Sequence, residues 1–420
     1  MLPTIEIIPS YHKRFLSGYP WLYANEIKQS QSTKILEPGE LVAVAHQGKR
    51  VATGYFNRHS LISFRALSSS DTNIDVTFFK QRLQQSLALR ERFYNMPYYR
   101  LVHAEADGLP GLIIDRFDSV FVIQMNTQGM EKLKNLLVEA LQALFSPTTL
   151  YFRNDSAIRT LEGLAITEPK VIGKPLSTLT VIENNMTFEI DMTSSQKTGW
   201  FFDHRENRAL IAKLAPGKTV IDYFCYSGGF GLQAAKQQAK RVIGIDRSEG
   251  ALKNAERSAN LNHLSELCEF HCRDTFNDMD DRLQKGEIFD IVVLDPPAFV
   301  KNKKDLIPGL KGYEKLLTKG LPLISPSGFL LIASCSYHVK EADLKICLIR
   351  ALQKTKREGR IVQTLSAGFD HPIHPMLEES SYLKGFLVFI ANKSHIIIFA
   401  LPIIGEITLY NQKEKIALAS

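Results

Sequence analysis

TVIDYFCYSGGFGLQAAKQQA, residues 219–239, runs from a β-branched apolar strand through a glycine-rich turn into a helix. Gly228, Gly229 and Gly231 let the backbone approach a ligand at a helix N-terminus, where free N–H groups point outward. The turn lacks the complete G-x-G-x-x-G spacing, and taken alone it is equally a tight strand-to-helix connection. Its surroundings decide the matter. From about residue 195 the strands TVIDYFC, RVIGIDR, CEFHCRD, FDIVVLD and FLLIASC are separated by helical stretches such as SEGALKNAERSANLN. Apolar strands alternating with polar-faced helices predict an α/β domain, a Rossmann-like parallel sheet covered on both faces.

In such sheets ligands bind outside the carboxyl ends of the strands, and those ends are acidic here. Asp222 precedes the glycine turn. Asp246 closes the next strand, about twenty residues on, where a carboxylate accepts hydrogen bonds from ribose hydroxyls. The third strand ends in Arg273-Asp274-Thr275-Phe276, whose acid is placed to hold an adenine amino group. Because the loop has no GK[ST] triphosphate signature, a dinucleotide or S-adenosylmethionine remains.

FDIVVLD ends in Asp295-Pro296-Pro297-Ala298-Phe299. Paired prolines fix the backbone and leave carbonyls without competing N–H groups, and with Phe299 they make a rigid seat for a flat base. Motifs of this kind recur in methyltransferases acting on planar nitrogen groups. That favours S-adenosylmethionine but leaves the methylated atom open. FLLIAS then runs into Ser334-Cys335-Ser336-Tyr337-His338. If these two strands are neighbours, about 4.8 Å apart, Asp295 and Cys335 meet at one rim. Cytosine C5 is a poor nucleophile, and a thiolate adding at C6 makes it reactive. Asp295 would then hold the N3 and amino edge. A thiol of ordinary pKa, about 8.5, needs a polar or positive neighbourhood for this. Cys225, Cys268, Cys272 and Cys347 read as small buried hydrophobes.

The 420 residues carry a net charge of +7, which favours an acidic partner such as nucleic acid. Five unevenly spaced cysteines imply no disulfide framework and fit a reducing, cytoplasmic setting. MLPTIEIIPSYHKR has no signal-peptide pattern. No stretch reaches the roughly 18 apolar residues of a membrane span, since HIIIFALPIIGEI is broken by Pro402 and Glu406. The expected organisation is a small β-barrel over 1–75, a linker helix and a middle α+β domain over 76–193, the Rossmann-like domain over 194–391, and an extension of unclear structure over 392–420. A zinc site from Cys335, His338, His371 and His374 matches no ligand spacing, so no metal is expected. His371 and His374 are expected to shape a loop over the pocket.

GYPWLYANEI (18–27), HAEADGLPGLIIDRF (103–117), QKTGWFFDHRENR (196–208), DYFCYSGGFG, DPPAFVKNKKDL, SCSYHV and YLKGF resemble, in order, the PUA-domain large-subunit ribosomal RNA cytosine-5 methyltransferases of bacteria. The resemblance covers roughly residues 5–390. It implies an RNA-binding PUA barrel, a middle domain and a class I methyltransferase domain. It also implies S-adenosylmethionine as donor and a cytosine of 23S rRNA, free or in a large-subunit precursor particle, as target. By motif Cys335 carries over as nucleophile and Asp295 as base-edge residue, beside Pro296, Pro297 and Phe299. Asp222, Ser227, Gly228, Asp246 and Asp274 carry over to the cofactor pocket, next to Gly229 and Thr275. QKTGWFFDHR resembles a lid, with Lys197 and Thr198 nearest the cofactor. Arg205 reads equally as a structural support of that segment.

Lys13, Arg14, Tyr19 and Trp21 mix charge with aromatics as single-strand binders do, though Trp21 is equally a core residue. Lys301, Lys303 and Lys304 lie where an RNA backbone would enter, or form a solvated loop. A homodimer is compatible with the sequence, and a membrane partner is not expected. The alternatives are an N-methyltransferase acting on guanine or adenine of rRNA, for which Cys335 is unnecessary, and a non-catalytic RNA-binding assembly factor.

Overall fold

The computed structural model describes residues 2–192 and 198–391, so Lys197 and the extension over 392–420 lie outside the described residues. The catalytic sheet contains β1 (Thr219–Tyr223), β2 (Arg241–Asp246), β3 (Cys268–Cys272), β4 (Phe289–Leu294), β5 (Ile324–Ser334), β6 (Gly359–Leu365) and β7 (Lys384–Ile390). Their order is β3-β2-β1-β4-β5-β7-β6. β1 pairs in parallel with β2 and β4, as β2 does with β3 and β4 with β5. Only β7 among these seven runs antiparallel, inserted between β5 and β6.

Two apolar layers follow from the period of two along each strand. Val220, Val293 and Leu331 face one core, while Ile221, Val292 and Leu330 face the other. The first layer is covered by α1 (Arg205–Leu214), α2 (Gly229–Lys236) and α3 (Glu249–Leu261). The second is covered by α4 (Thr275–Gln284), α5 (Leu306–Gly320) and α6 (Glu341–Thr355).

A hairpin of Thr178–Glu183 and Met186–Asp191 closes the first layer. Its second strand lies along α3 instead of another strand. Asn254, Ser258 and Asn262, four residues apart on one helix face, accept from the N–H groups of Asp191, Glu189 and Thr187 at 3.1, 3.1 and 3.4 Å. These bonds satisfy an edge that a sheet would otherwise leave open. Buried Glu183 anchors the other strand, accepting from Arg208 (2.6 and 2.9 Å), Trp200 (2.9 Å) and Gln233 (2.8 Å). Arg205 also pairs with Glu183 at 3.5 Å, which gives it the structural part of its expected alternatives.

The middle domain is a five-stranded sheet of Tyr98–His103, Leu112–Phe117, Val120–Met125, Thr149–Phe152 and Lys170–Gly173, each beside the next. The helix Val76–Arg90 packs on it. Two further helices, Gln128–Lys132 and Lys134–Phe145, are divided at Leu133, which turns into the core. The N-terminal strands Glu40–His46, Lys49–Phe56 and Ile62–Ser68 form an antiparallel meander, flanked by Thr4–Glu6 and Trp21–Tyr23. Gly39 and Gly48 sit at its turns with φ of 82° and 74°.

Arg90 ties the middle and catalytic domains together. Fully buried, it pairs with Asp107 at 2.6 and 2.7 Å and donates to the carbonyls of Arg100 (2.8 Å) and Asp370 (2.9 Å). Removing one partner of a buried pair leaves the other charge uncompensated. Arg90→Met should therefore destabilise the protein by about 3–5 kcal/mol, read as a lower denaturation midpoint in urea.

Candidate active site

The turn after β1 is wound tightly. Phe224 and Tyr226 have φ of 62° and 50°, and Gly228 has 77°, a region costly for side-chain-bearing residues. The geometry is held from outside. Tyr226 N–H donates to Asp246 Oδ2 (2.9 Å), Cys225 N–H to the Ile245 carbonyl (3.1 Å), and Gly231 N–H to Asp222 Oδ2 (3.1 Å). A Cβ at Gly229 would lie 2.9 Å from Arg208 Cδ, and one at Gly231 would lie 2.8 Å from Val242 Cγ1. These two glycines therefore serve close packing of α2 as well as access.

Asp222 is buried, and its Oδ1 has no hydrogen-bond partner; nor has the buried Ser227 Oγ. Burial pushes the Asp222 carboxyl up to about 8, opposed by the Gly231 N–H, with the charges of Asp295 and Asp246 adding to the rise. Two orphaned acceptors among three neighbouring carboxyls suit a cationic ligand bearing donors, as S-adenosylmethionine is. Asp246 also accepts from Ser248 N–H at 2.8 Å. Asp274 caps α4, its Oδ1 accepting from Phe276 and Asn277 N–H (both 3.1 Å), while Arg247 lies 3.1 Å from Oδ2. An adenine amino group would have to share that second oxygen. Thr275 is buried as the first residue of α4.

β4 and β5 are neighbours, with Leu294 opposite Ile332, so Asp295 and Cys335 leave adjacent strand ends. Ser334 and Ser336 are fully buried, and Tyr313 of α5 places its hydroxyl 2.8 Å and 2.9 Å from their Oγ atoms. Val300 N–H donates to Ser336 Oγ at 3.2 Å, fastening the Pro296-Pro297 loop to the cysteine loop. Cys335, between two inward serines, is half-buried on the other side. Pro296 is buried and Pro297 exposed. The Phe299 ring turns onto Tyr313, with centroids 4.8 Å apart, so Pro297 stands more openly at the rim than Phe299.

His204 Nε2 lies 3.3 Å from Asp295 Oδ1. Burial alone would lower this imidazole, but Asp295 and Asp203 outweigh it and hold His204 above its ordinary value. Lys384, opposite Ser334 on β7, is buried and donates to the carbonyls of Ser336 (3.2 Å) and Val339 (2.6 Å). Burial lowers its pKa, and a negative charge on Cys335 opposes that. Tyr313, His204 and Lys384 were missed in the sequence. The register of β5 with β7 reveals Lys384, the docking of α5 reveals Tyr313, and the segment before α1 brings His204 to Asp295.

Thr198 is buried and donates to the Trp200 carbonyl at 3.3 Å. Asp370 and His371 are buried against the middle domain, where Asp370 Oδ2 accepts from Arg100 N–H at 2.9 Å; His374 is half-buried beside them. In the barrel Arg14 pairs with Glu26 (2.6 Å) and lies 4.1 Å over the buried Tyr19 ring. Trp21 donates to Glu105 of the middle domain at 2.8 Å, so it serves the domain seam. Lys13 is exposed, as are Lys301, Lys303 and Lys304. Among the described residues no helix is long and apolar enough to cross a membrane.

The model of S-adenosylmethionine-dependent methyltransferases matches residues 152–388, and that of PUA-like domains matches residues 5–69. Fold and site together thus define an S-adenosylmethionine-dependent methyltransferase joined to a PUA-like domain. The chain is 36% identical over 396 residues to Ribosomal RNA large subunit methyltransferase I of Tolumonas auensis, covering 92% of this chain and 99% of that one. Against the Aeromonas hydrophila protein of the same name identity is 34%, with the same coverage. The chain belongs to this ribosomal RNA large subunit methyltransferase I family. The solved structure of SMU.776 complexed with SAH shares the fold, with a TM-score of 0.77 at 20% identity over 93% of this chain and 100% of that one.

S-adenosylmethionine is the donor, and with the unpaired Asp222 Oδ1 against it, its binding would depend on pH. Between about 4 and about 8 the folded protein keeps an Asp222 proton that the unfolded chain has lost, so this group's contribution to stability falls as pH rises through that window. A cationic donor favours the ionised form and expels that proton. Donor affinity should therefore rise with pH up to about 8, by at most about tenfold per unit. Calorimetric titration in buffers of different ionisation enthalpy reads the proton release, which Asp222→Asn should abolish.

Proposed function

We propose that the protein methylates C5 of a cytosine in 23S ribosomal RNA, free or in a large-subunit precursor particle, through a transient bond between Cys335 and C6. The observation that supports this best is the outward Cys335 beside the Asp295 loop, both held by Tyr313 and Ser336. Bound S-adenosylmethionine supplies a sulfonium-activated methyl group. The rest falls to the chain. Cys335 Sγ, as thiolate, bonds to C6, and the C5–C6 π electrons move to C5, which becomes nucleophilic. Asp295 accepts from the exocyclic amine and from N3 once it is protonated, and His204 at 3.3 Å orients this carboxylate. When the methylated C5 gives its proton to a base at the rim, that electron pair restores the double bond and expels the thiolate.

Lys384 is a positioning residue for the thiolate. Its ammonium braces the loop carrying Cys335 and favours the charged sulfur. Lys13 and the lysines after the Pro-Pro loop supply the cationic approach for RNA, a sequence-tolerant contribution that weakens with salt.

Incubating the protein and labelled donor with undermethylated 23S rRNA should yield 5-methylcytosine. Cys335→Ala should lower turnover at least about a thousandfold while retaining donor binding. A methylated ring nitrogen, or unimpaired turnover by Cys335→Ala, would overturn the proposal. Lys384→Met should move the acidic limb of the pH–rate profile up by about one unit, and Lys384→Arg should restore it; two coincident profiles would remove Lys384 from this role.

A further inference from the structure

Between the middle and catalytic domains lies a cavity of 570 Å³, within the range of about 300–1,000 Å³ usual for small-ligand sites. Gln124, Arg153 and Ala157 come from the middle-domain side, and Phe201, Asp203 and Tyr382 from the catalytic side. One of its walls carries a buried polar atom that the fold leaves unsatisfied, Asp203 Oδ1. Gln124, 9% exposed, lines the cavity with its side chain. Asp203 is also 9% exposed; its Oδ2 accepts from the Tyr382 hydroxyl at 2.5 Å, but its Oδ1 has no partner. Leaving such an atom buried and unmet is costly. A ligand rich in hydroxyls and phosphate would meet it.

The cavity adjoins the reacting centre. Asp203 precedes His204, which touches Asp295, and Tyr382 lies two residues before Lys384 on the segment entering β7. Burial raises the Tyr382 phenol, and charges on Asp203 and Cys335 raise it further. Arg153, held by Asp155 at 3.0 Å, and Arg100, paired with Asp115 at 2.8 Å, bring guanidinium groups to the same wall. None of the turn residues 226–231 lines it, while Thr198 and Phe201, the latter packed on Tyr226, place it next to the glycine turn.

We propose that this seam holds the ribose and phosphate of the nucleotide being methylated, with Asp203 Oδ1 and the Gln124 amide on the ribose hydroxyls and Arg153 toward the phosphate. The middle domain thereby takes part in substrate selection. A site that hydrogen-bonds the 2′-hydroxyl distinguishes RNA from DNA at that position. This rests on the cytosine reading above, because a base held at Cys335 and Asp295 leaves its sugar on the Asp203 side.

The test uses the full protein with an RNA substrate and the same RNA carrying one 2′-deoxycytidine at the methylated position. Wild type should favour the ribo substrate roughly tenfold or more in kcat/KM. Gln124→Ala should lose most of that preference, chiefly by a higher KM for the ribo substrate, with affinity for S-adenosylhomocysteine unchanged. Ala157→Trp, on the exposed rim, should raise KM for both. Equal use of both RNAs by wild type, or wild-type KM values and preference in both variants, overturns the pocket. If the mapped product is not 5-methylcytosine while the variants still raise KM, the chemical reading fails and the pocket stands.

Discussion

The Tyr313 hydroxyl, fixed between Ser334 Oγ and Ser336 Oγ at 2.8 and 2.9 Å, is the contact on which the candidate site depends. Tyr313 and both serines are fully buried, so each must find its partner inside the protein or carry an unmet polar group. Satisfying them turns two serines inward, and alternation along the strand turns Cys335 outward. Through Val300 N–H, Ser336 also fastens the loop after β4, so one contact sets the separation of the cysteine and Asp295 loops. Replacing Ser336 by a residue without a hydroxyl would free both at once.

A second constraint is the crowding of acids at one rim. Asp222, Asp246 and Asp295 end three neighbouring strands, with Asp203 beside them on the segment before α1. Like charges this close are tolerated only where counter-charges or ligands meet them. His204 answers Asp295 and Asp203, and the Arg100 charge and the Tyr382 hydroxyl act further on Asp203. What remains is specific. Asp222 Oδ1 and Ser227 Oγ are unpaired beside the glycine turn, and Asp203 Oδ1 is unpaired at the seam.

The Rossmann-like sheet was legible because strands such as TVIDY, RVIGID and FDIVVL carry β-branched apolar residues and each of β1 to β5 is followed by a helix. Asp295 and Cys335 were legible because their strand ends carry chemistry unusual for a turn. The serines around Cys335 looked like a polar neighbourhood; in the fold they are a clamp, which needs Tyr313, more than twenty residues earlier on a helix whose docking no local pattern reports. Lys384 was hidden in a β-strand that reads as apolar, since its partner loop belongs to a strand fifty residues away. The strand Thr178–Glu183 escaped because its neighbour pairs on its far edge with side chains of α3 instead of a third strand. Trp21 read equally as a base-stacking or a core residue; its indole N–H is taken by Glu105, a contact across eighty-four positions.

The central claim is that Cys335 bonds to the ring it helps to methylate. RNA carrying 5-fluorocytidine at the target position tests it directly, because fluorine at C5 cannot leave as a proton does and the covalent adduct is trapped. The account predicts a donor-dependent protein–RNA species that survives denaturing electrophoresis, with the cross-linked peptide containing Cys335, and no such species from Cys335→Ala. Methylation of the fluorinated RNA with full release of the protein, or a cross-link to any other residue, would contradict it.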